Sequence, residues 1–204
     1  MRSFNKFGWN NFFQNYLNNF PDKNLKIGRV GSIAGFKYLL LTQKGEIEAE
    51  LSGKLLYAAL NEDLPKVGDW VFYMDYVTMG YIVDVFPRMN EVYRKVAGKR
   101  NERQVLAANV DYALIVQGLD REFNLMRLDR YLVQMVNCNI KPVVVLNKAD
   151  LIDNPDQYRD EIDKLNRKCP VYFCSTYNGS GLESLIKIFE SGKTSAFYTA
   201  SSNF

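Results

Sequence analysis

Pro142-Val143-Val144-Val145-Leu146-Asn147-Lys148-Ala149-Asp150 is the stretch from which the rest of the chain can be read. Its first half is a continuous apolar run with β-branched residues at three successive positions, as a strand buried on both faces requires. Residues 112–117 (YALIVQ) and 171–174 (VYFC) are runs of the same kind. Apolar residues at helical spacing lie between and beyond them. Leu125, Leu128, Leu132, Met135 and Val136 form one stripe, Tyr158, Ile162 and Leu165 a second, and Leu182, Leu185, Ile186 and Phe189 a third. Strand alternating with helix predicts a parallel, doubly wound α/β sheet over residues 106–204.

In such sheets ligands sit beyond the carboxyl ends of the strands. Asn147-Lys148-Ala149-Asp150 follows one buried run, and Ser175-Thr176-Tyr177-Asn178-Gly179 follows the next. A carboxylate at Asp150 can accept from both the N1–H and the C2 amino group of guanine. Adenine has an acceptor at N1 and nothing at C2, so it would leave that carboxylate unpaired and repelled. A buried bidentate pair of this kind discriminates strongly. Asn147 can tie the loop and meet the N7/O6 edge, and Ala149 is a small spacer. The alkyl stem of Lys148 can lie on the base face. A backbone N–H near Ser175, Thr176 and Tyr177 can donate to guanine O6. The plainer alternative is a helix-entry loop with Asp150 as a cap and Lys148 in solvent. Position after a buried strand, with a second Ser/Thr loop after the next, favours guanine.

Gly192-Lys193-Thr194 looks like the end of a phosphate-binding loop. The G-x-x-x-x-G-K-[ST] pattern would need Gly at position 187, which is Lys, and a preceding strand where a helical stripe lies. The tripeptide is therefore expected to end a helix and start a strand, Ser195–Thr199.

Residues 25–90 read differently. Apolar or alternating runs at 29–30, 38–41, 46–51, 70–74 and 81–86 are punctuated by Gly28, Gly31, Gly35, Gly45, Gly53, Gly68 and Gly80. Five short strands with glycine turns predict a small OB-type β-barrel. Residues 1–20 are Asn- and Phe-rich, residues 1–24 read as an N-terminal helical extension, and a short amphipathic helix is expected over 9–19, packing on the barrel or binding a partner. Arg88, Arg94, Lys95, Lys99, Arg100 and Arg103 crowd one stretch, and residues 91–105 read as a basic linker. Either it is a solvated connector, or Arg94, Lys95, Lys99, Arg100 and Arg103 contact RNA phosphates. The expected fold is thus β followed by α/β: an N-terminal OB-type barrel, then a partial doubly wound parallel sheet.

Composition narrows the chemistry. The 204 residues carry a net charge of only +3, with 24% charged and 47% hydrophobic residues, and no histidine. Mechanisms built on Ser-His, Cys-His or His-bound metal are excluded. Cys138, Cys169 and Cys174 have no C-x-x-C spacing and read as reduced thiols. A structural zinc site needs about four ligands, more than they supply. No apolar run approaches the roughly 20 residues of a membrane span. The expectation is a cytoplasmic chain that engages neither membrane nor DNA.

A resemblance then covers residues 7–196. Gly28-Arg29-Val30, Leu51-Ser52-Gly53-Lys54, the stretch 64–71 (LPKVGDWV), Pro87-Arg88 and Arg94-Lys95-Val96-Ala97-Gly98 occur in order. So do the stretches 104–111 (QVLAANVD), 123–125 (FNL), 128–132 (LDRYL) and 146–151 (LNKADL). Together they are similar to the RsgA family of circularly permuted, ribosome small-subunit-dependent GTPases, in which the guanine-reading motifs precede the phosphate loop. The resemblance implies an OB barrel contacting ribosomal RNA, a GTPase domain binding GTP/GDP with Mg²⁺, a C-terminal zinc domain, and a role in late small-subunit maturation. The guanine-binding residues would be Asn147, Lys148, Ala149, Asp150, Ser175, Thr176 and Tyr177, with Thr176 where the family more often has Ala.

Family chains continue past the Gly-Lys-Thr strand into the phosphate loop, the switches with their Mg²⁺ ligands and the zinc domain. Here residues 198–204 read YTASSNF. The expectation is a truncated member with no catalytic or metal-ligating residue and no hydrolysis. A site that reads only the base would bind nucleotide at millimolar strength at best, because each charged hydrogen bond contributes roughly 1.5–3 kcal/mol against the cost of ordering the ligand. The alternatives are an OB-fold module that binds ribosomal RNA without nucleotide turnover, or a nonfunctional remnant.

Overall fold

The computed structural model describes residues 3–22, 24–58, 63–76, 79–95, 103–120 and 123–199. The chain divides into two compact units, residues 1–110 and 111–204.

The first unit opens with a 3₁₀ turn, Phe4–Phe7, and helix α1 (Asn11–Asn18). Asn10 caps α1 by accepting from the Phe12 N–H at 2.9 Å. Strands β1 (Lys26–Ala34), β2 (Lys37–Thr42), β3 (Gly45–Leu51), β4 (Trp70–Asp75) and β5 (Gly80–Val85) follow, with a short helix α2 (Gly53–Ala58) after β3. They close a barrel in the order β1-β2-β3-β5-β4. All neighbours are antiparallel except β3 and β5. This is the expected OB-type barrel. Strand β1 pairs with both β2 and β4, and its register shifts between Val30 and Ser32. Gly31 lies in that bulge, where a Cβ would press on Leu41 at 3.1 Å.

Strand β4 explains how the N-terminal segment attaches. Val71 and Tyr73 belong to the barrel interior with Val30, Leu40, Ala49 and Ile82. Trp70 and Phe72 belong to a second core with Phe13 and Phe86, onto which Phe4, Trp9, Tyr16 and Phe20 pack. All four consecutive strand residues are buried. Alternation places successive side chains on opposite faces, so one strand serves two cores.

Beneath the barrel lies a buried polar network. The Asp69 carboxylate is fully buried and accepts from Arg88 Nε at 2.9 Å and Nη2 at 2.8 Å, and from the Lys66 N–H at 2.8 Å. Burial pushes its carboxyl above the ordinary value, with Arg88 opposing. Arg29 donates to the carbonyls of Gly68, Phe7 and Asn109. Gly68 has φ +93°, and a Cβ there would stand 2.1 Å from the Ala108 carbonyl oxygen, so no other residue fits.

Strands β6 (Glu91–Lys95) and β7 (Arg103–Ala108) form an antiparallel pair within this unit. The stretch expected as a linker over 91–105 therefore carries ladder hydrogen bonds on both flanks. Between the positive charges, Val92, Val105 and Ala108 are buried and hold the pair down. Arg88 is no part of a free basic strip, because Asp69 and Glu91 hold it.

The second unit contains β8 (Tyr112–Gly118), α3 (Leu125–Asn137), β9 (Lys141–Asn147), a 3₁₀ turn (Ala149–Leu151), α4 (Asp156–Asp163), β10 (Val171–Phe173), α5 (Leu182–Ile186) and β11 (Ser195–Thr199). The strands form a parallel sheet in the order β10-β9-β8-β11. Leu114, Val143 and Val145 pack on one face with Leu185 of α5. The alternate residues Ala113, Ile115, Val144 and Leu146 are also buried, and α3 covers β8 and β9 with Leu128, Leu132 and Met135 buried. Three residues of the predicted stripes, Val136, Ile186 and Phe189, are exposed instead. Val136 lies in the last turn of α3, and α5 is too short to carry a stripe through Phe189.

Candidate functional site

Parallel pairing brings the carboxyl ends of β8, β9 and β10 to one rim of the second unit. Gly118-Leu119-Asp120 leaves β8, Asn147-Lys148-Ala149-Asp150 leaves β9, and Cys174-Ser175-Thr176-Tyr177 leaves β10.

The loops after β9 and β10 are tied together. Asn147 Oδ1 accepts from the Thr176 N–H at 3.1 Å, and Asn147 Nδ2 donates to Thr176 Oγ1 at 3.3 Å. Alanine at 176 would allow only the first bond. The Ala149 N–H donates to the Cys174 carbonyl at 3.0 Å, and the Leu119 N–H to the Asn147 carbonyl at 2.8 Å. Ser175 is fully buried, and its Oγ accepts from the N–H groups of Tyr177 (3.2 Å) and Asn178 (3.3 Å). Gly181 closes this loop at φ +73°. A Cβ there would lie 2.0 Å from the Phe173 carbonyl oxygen.

Two exposed side chains of the rim make no hydrogen bond among the described residues. Asp150 is exposed, and among the described residues its carboxylate has no hydrogen-bond or ion-pair partner. Tyr177 is 91% exposed. Lys148 holds a left-handed backbone at φ 63°, and its ammonium pairs with Asp120. The seven expected guanine-site residues thus lie on one rim, with two differences from expectation. The Asp150 carboxylate is exposed, not buried. The N–H groups of Ser175, Thr176 and Tyr177 all have partners within the chain, so an incoming carbonyl oxygen would have to share or displace the Asn147 contact to reach Thr176 N–H.

Asp120 was not among the expected site residues. It follows the run at 112–117 just as Asp150 follows the next, and position past a buried strand was the available signal.

Gly192-Lys193-Thr194 lies at the other end of the sheet, at the start of β11. Ser195 pairs with Tyr112 and Tyr112 with Lys141, the first residues of their strands. Lys193 Nζ donates to Asp111 Oδ1, and the Thr194 N–H to Asp111 Oδ2, each at 2.9 Å. The tripeptide clasps a strand start, at the far end of the strands from Asp150.

Of the expected RNA-binding residues, Arg94 and Arg103 are exposed on the β6–β7 pair, where Arg103 lies over the Tyr93 ring at 4.9 Å. Lys95 ends β6, opposite Arg103. Lys99 and Arg100 lie outside the described residues. Among the described residues no three His, Cys, Asp or Glu side chains gather to hold a metal ion. No described helix is long and apolar enough to cross a membrane.

Known proteins are similar to this chain in sequence and fold. The small ribosomal subunit biogenesis GTPase RsgA 1 of Bacteroides thetaiotaomicron is 33% identical over 198 residues, which are 96% of this chain and 55% of that protein. RsgA of Opitutus terrae is 35% identical over 205 residues, 95% of this chain and 56% of that one. The chain therefore spans just over half the length of these relatives. The crystal structure of YjeQ from Thermotoga maritima superposes with a TM-score of 0.67 at 26% identity, over 85% of this chain and 59% of that one. YloQ, described as a circularly permuted GTPase, shares the fold with a TM-score of 0.66 at 24% identity, over 88% of this chain and 61% of its own. A sequence-family description of the RsgA GTPase matches residues 85–202, more than half of the chain, and the chain belongs to that family.

Proposed function

We propose that this chain supplies the guanine-recognising half of a GTP/GDP site in a protein that acts on the small ribosomal subunit. The observation that carries this reading is the exposed, partnerless Asp150 carboxylate on the same rim as the Asn147–Thr176 tie. It is positioned to accept from two adjacent donors on a base edge, and guanine presents such a pair. Asn147 fixes the loop that holds it. Strand β11 runs parallel to β8, so its last residue, Thr199, lies towards the Asp150 rim. Phosphate-gripping groups are expected there rather than at Lys193, which Asp111 holds at the opposite end. The 204 residues contain no G-x-x-x-x-G-K-[ST] run, and by themselves they are expected to bind guanine weakly and not to hydrolyse GTP.

The test is an exchange of base preference. Asp150→Asn keeps an acceptor for N1–H but presents an amide donor at C2, which suits the C2 carbonyl of xanthine. GDP affinity should fall roughly ten- to hundredfold, and xanthosine diphosphate should gain. Equilibrium dialysis or ligand-detected NMR reads both. Unchanged GDP binding in the variant would overturn the assignment.

Ribosomal RNA contact is assigned to the β6–β7 pair and not to the outer face of β2 and β3. That face carries Glu46, Glu48 and Glu50 on alternate positions of β3, with Lys37 paired to Glu48 at 3.4 Å. Carboxylates so spaced repel a phosphate backbone. Arg94 and Arg103 present the opposite charge.

A further inference from the structure

Asp120, Gly118 and Lys148 form a small device that the base-reading role does not account for. A Cβ at Gly118 would lie 2.8 Å from Asp120 Oδ1 and 3.4 Å from Lys148 Cδ. The Lys148 stem therefore passes over bare backbone at the end of β8, and its ammonium pairs with Asp120, whose carboxylate lies over the same glycine. Its left-handed backbone lets the stem turn back over that strand while Asn147 stays tied to Thr176. The Leu119 N–H bonded to the Asn147 carbonyl fixes the two loops at that level. The Lys148 side chain is 43% exposed, so the stem has one side on Gly118 and one side open.

We infer that Asp120 is a positioning residue for the base. By anchoring the Lys148 ammonium it stretches the four-carbon stem into a fixed apolar floor on which the guanine ring lies. A lysine without this anchor would sample many rotamers, and each bound base would have to order it. The partly exposed pair adds little to folding stability, so its effect should appear in binding. This inference rests on the guanine reading above.

A double-mutant cycle tests it, using GDP binding by ligand-detected NMR with thermal melting alongside. Asp120→Asn should weaken GDP binding roughly fivefold without changing the melting temperature, and Asp120→Glu should restore part of the loss. In a Lys148→Met background, which keeps an apolar stem and removes the ammonium, Asp120→Asn should have no further effect. An equal loss in both backgrounds, or no loss in either, would overturn the inference while leaving the guanine reading standing. If the unmodified chain and the Asp150→Asn variant bind GDP and xanthosine diphosphate indistinguishably, the guanine reading fails, and the role of Asp120 fails with it.

Discussion

The two units of this chain use charged and polar side chains in opposite ways. In the barrel unit, Arg29, Asp69, Arg88 and Asn109 turn inward and bond one another or backbone carbonyls. In the sheet unit, Asp150 and Tyr177 are left in solvent at the ends of buried strands. Both sets lie in stretches matching the same family, yet only the second is available to a ligand. A charged residue in a recognisable motif is therefore a site residue only where the fold leaves it unsatisfied at a rim; buried and fully bonded, it holds the fold together.

Substitutions can break that contrast. The largest effect is expected for Arg88→Ala, which strands the Asp69 carboxylate in a buried setting. Stability should fall by about 3–5 kcal/mol in urea titrations. Asp150→Asn should leave the same titration within about 0.5 kcal/mol of the parent while changing base preference as described above. A destabilised Asp150→Asn variant would erase the distinction between the units. Reversing Arg94 and Arg103 to Glu should leave stability nearly unchanged and weaken association with small ribosomal subunits. The log–log salt dependence of that association should flatten by about 1 for each phosphate no longer neutralised. An unaltered slope would remove the β6–β7 pair from the interface.

The smallest effect concerns pH. Burial pushes the Tyr198 hydroxyl up to about 12, with Cys138 and Tyr131 adding to the shift. The folded state thus holds this proton more tightly than the unfolded chain, whose value is near 10. The Tyr198 contribution to stability should be level below pH 10 and decline as pH rises from 10 towards 12. Tyr198→Phe should reduce that decline.

Most of the architecture was legible because strand burial leaves a direct mark on composition. Unbroken apolar runs marked β8, β9 and β10, and glycine-punctuated alternation marked the barrel. Charge was the poorer guide. Counting Arg88 and Arg94 with their basic neighbours suggested a linker, because a linear sequence does not display Asp69 across the fold or the ladder between β6 and β7. The rim of the site was legible from Asn147, Asp150 and Ser175, each placed by strand order alone. Asp120 was not, since its pairing depends on where the Lys148 stem is carried. The exposure of Asp150 was not legible either, because strong discrimination between bases had implied a buried carboxylate.

The double duty of β4 has a mechanical consequence. Trp70 and Phe72 on one side and Val71 and Tyr73 on the other cannot be solvated independently, because freeing either pair disrupts the strand that bears both. The aromatic N-terminal segment and the barrel should accordingly melt in a single transition. Cutting away the first twenty residues would uncover Trp70 and Phe72 and should destabilise the barrel as a whole, leaving a chain prone to self-association.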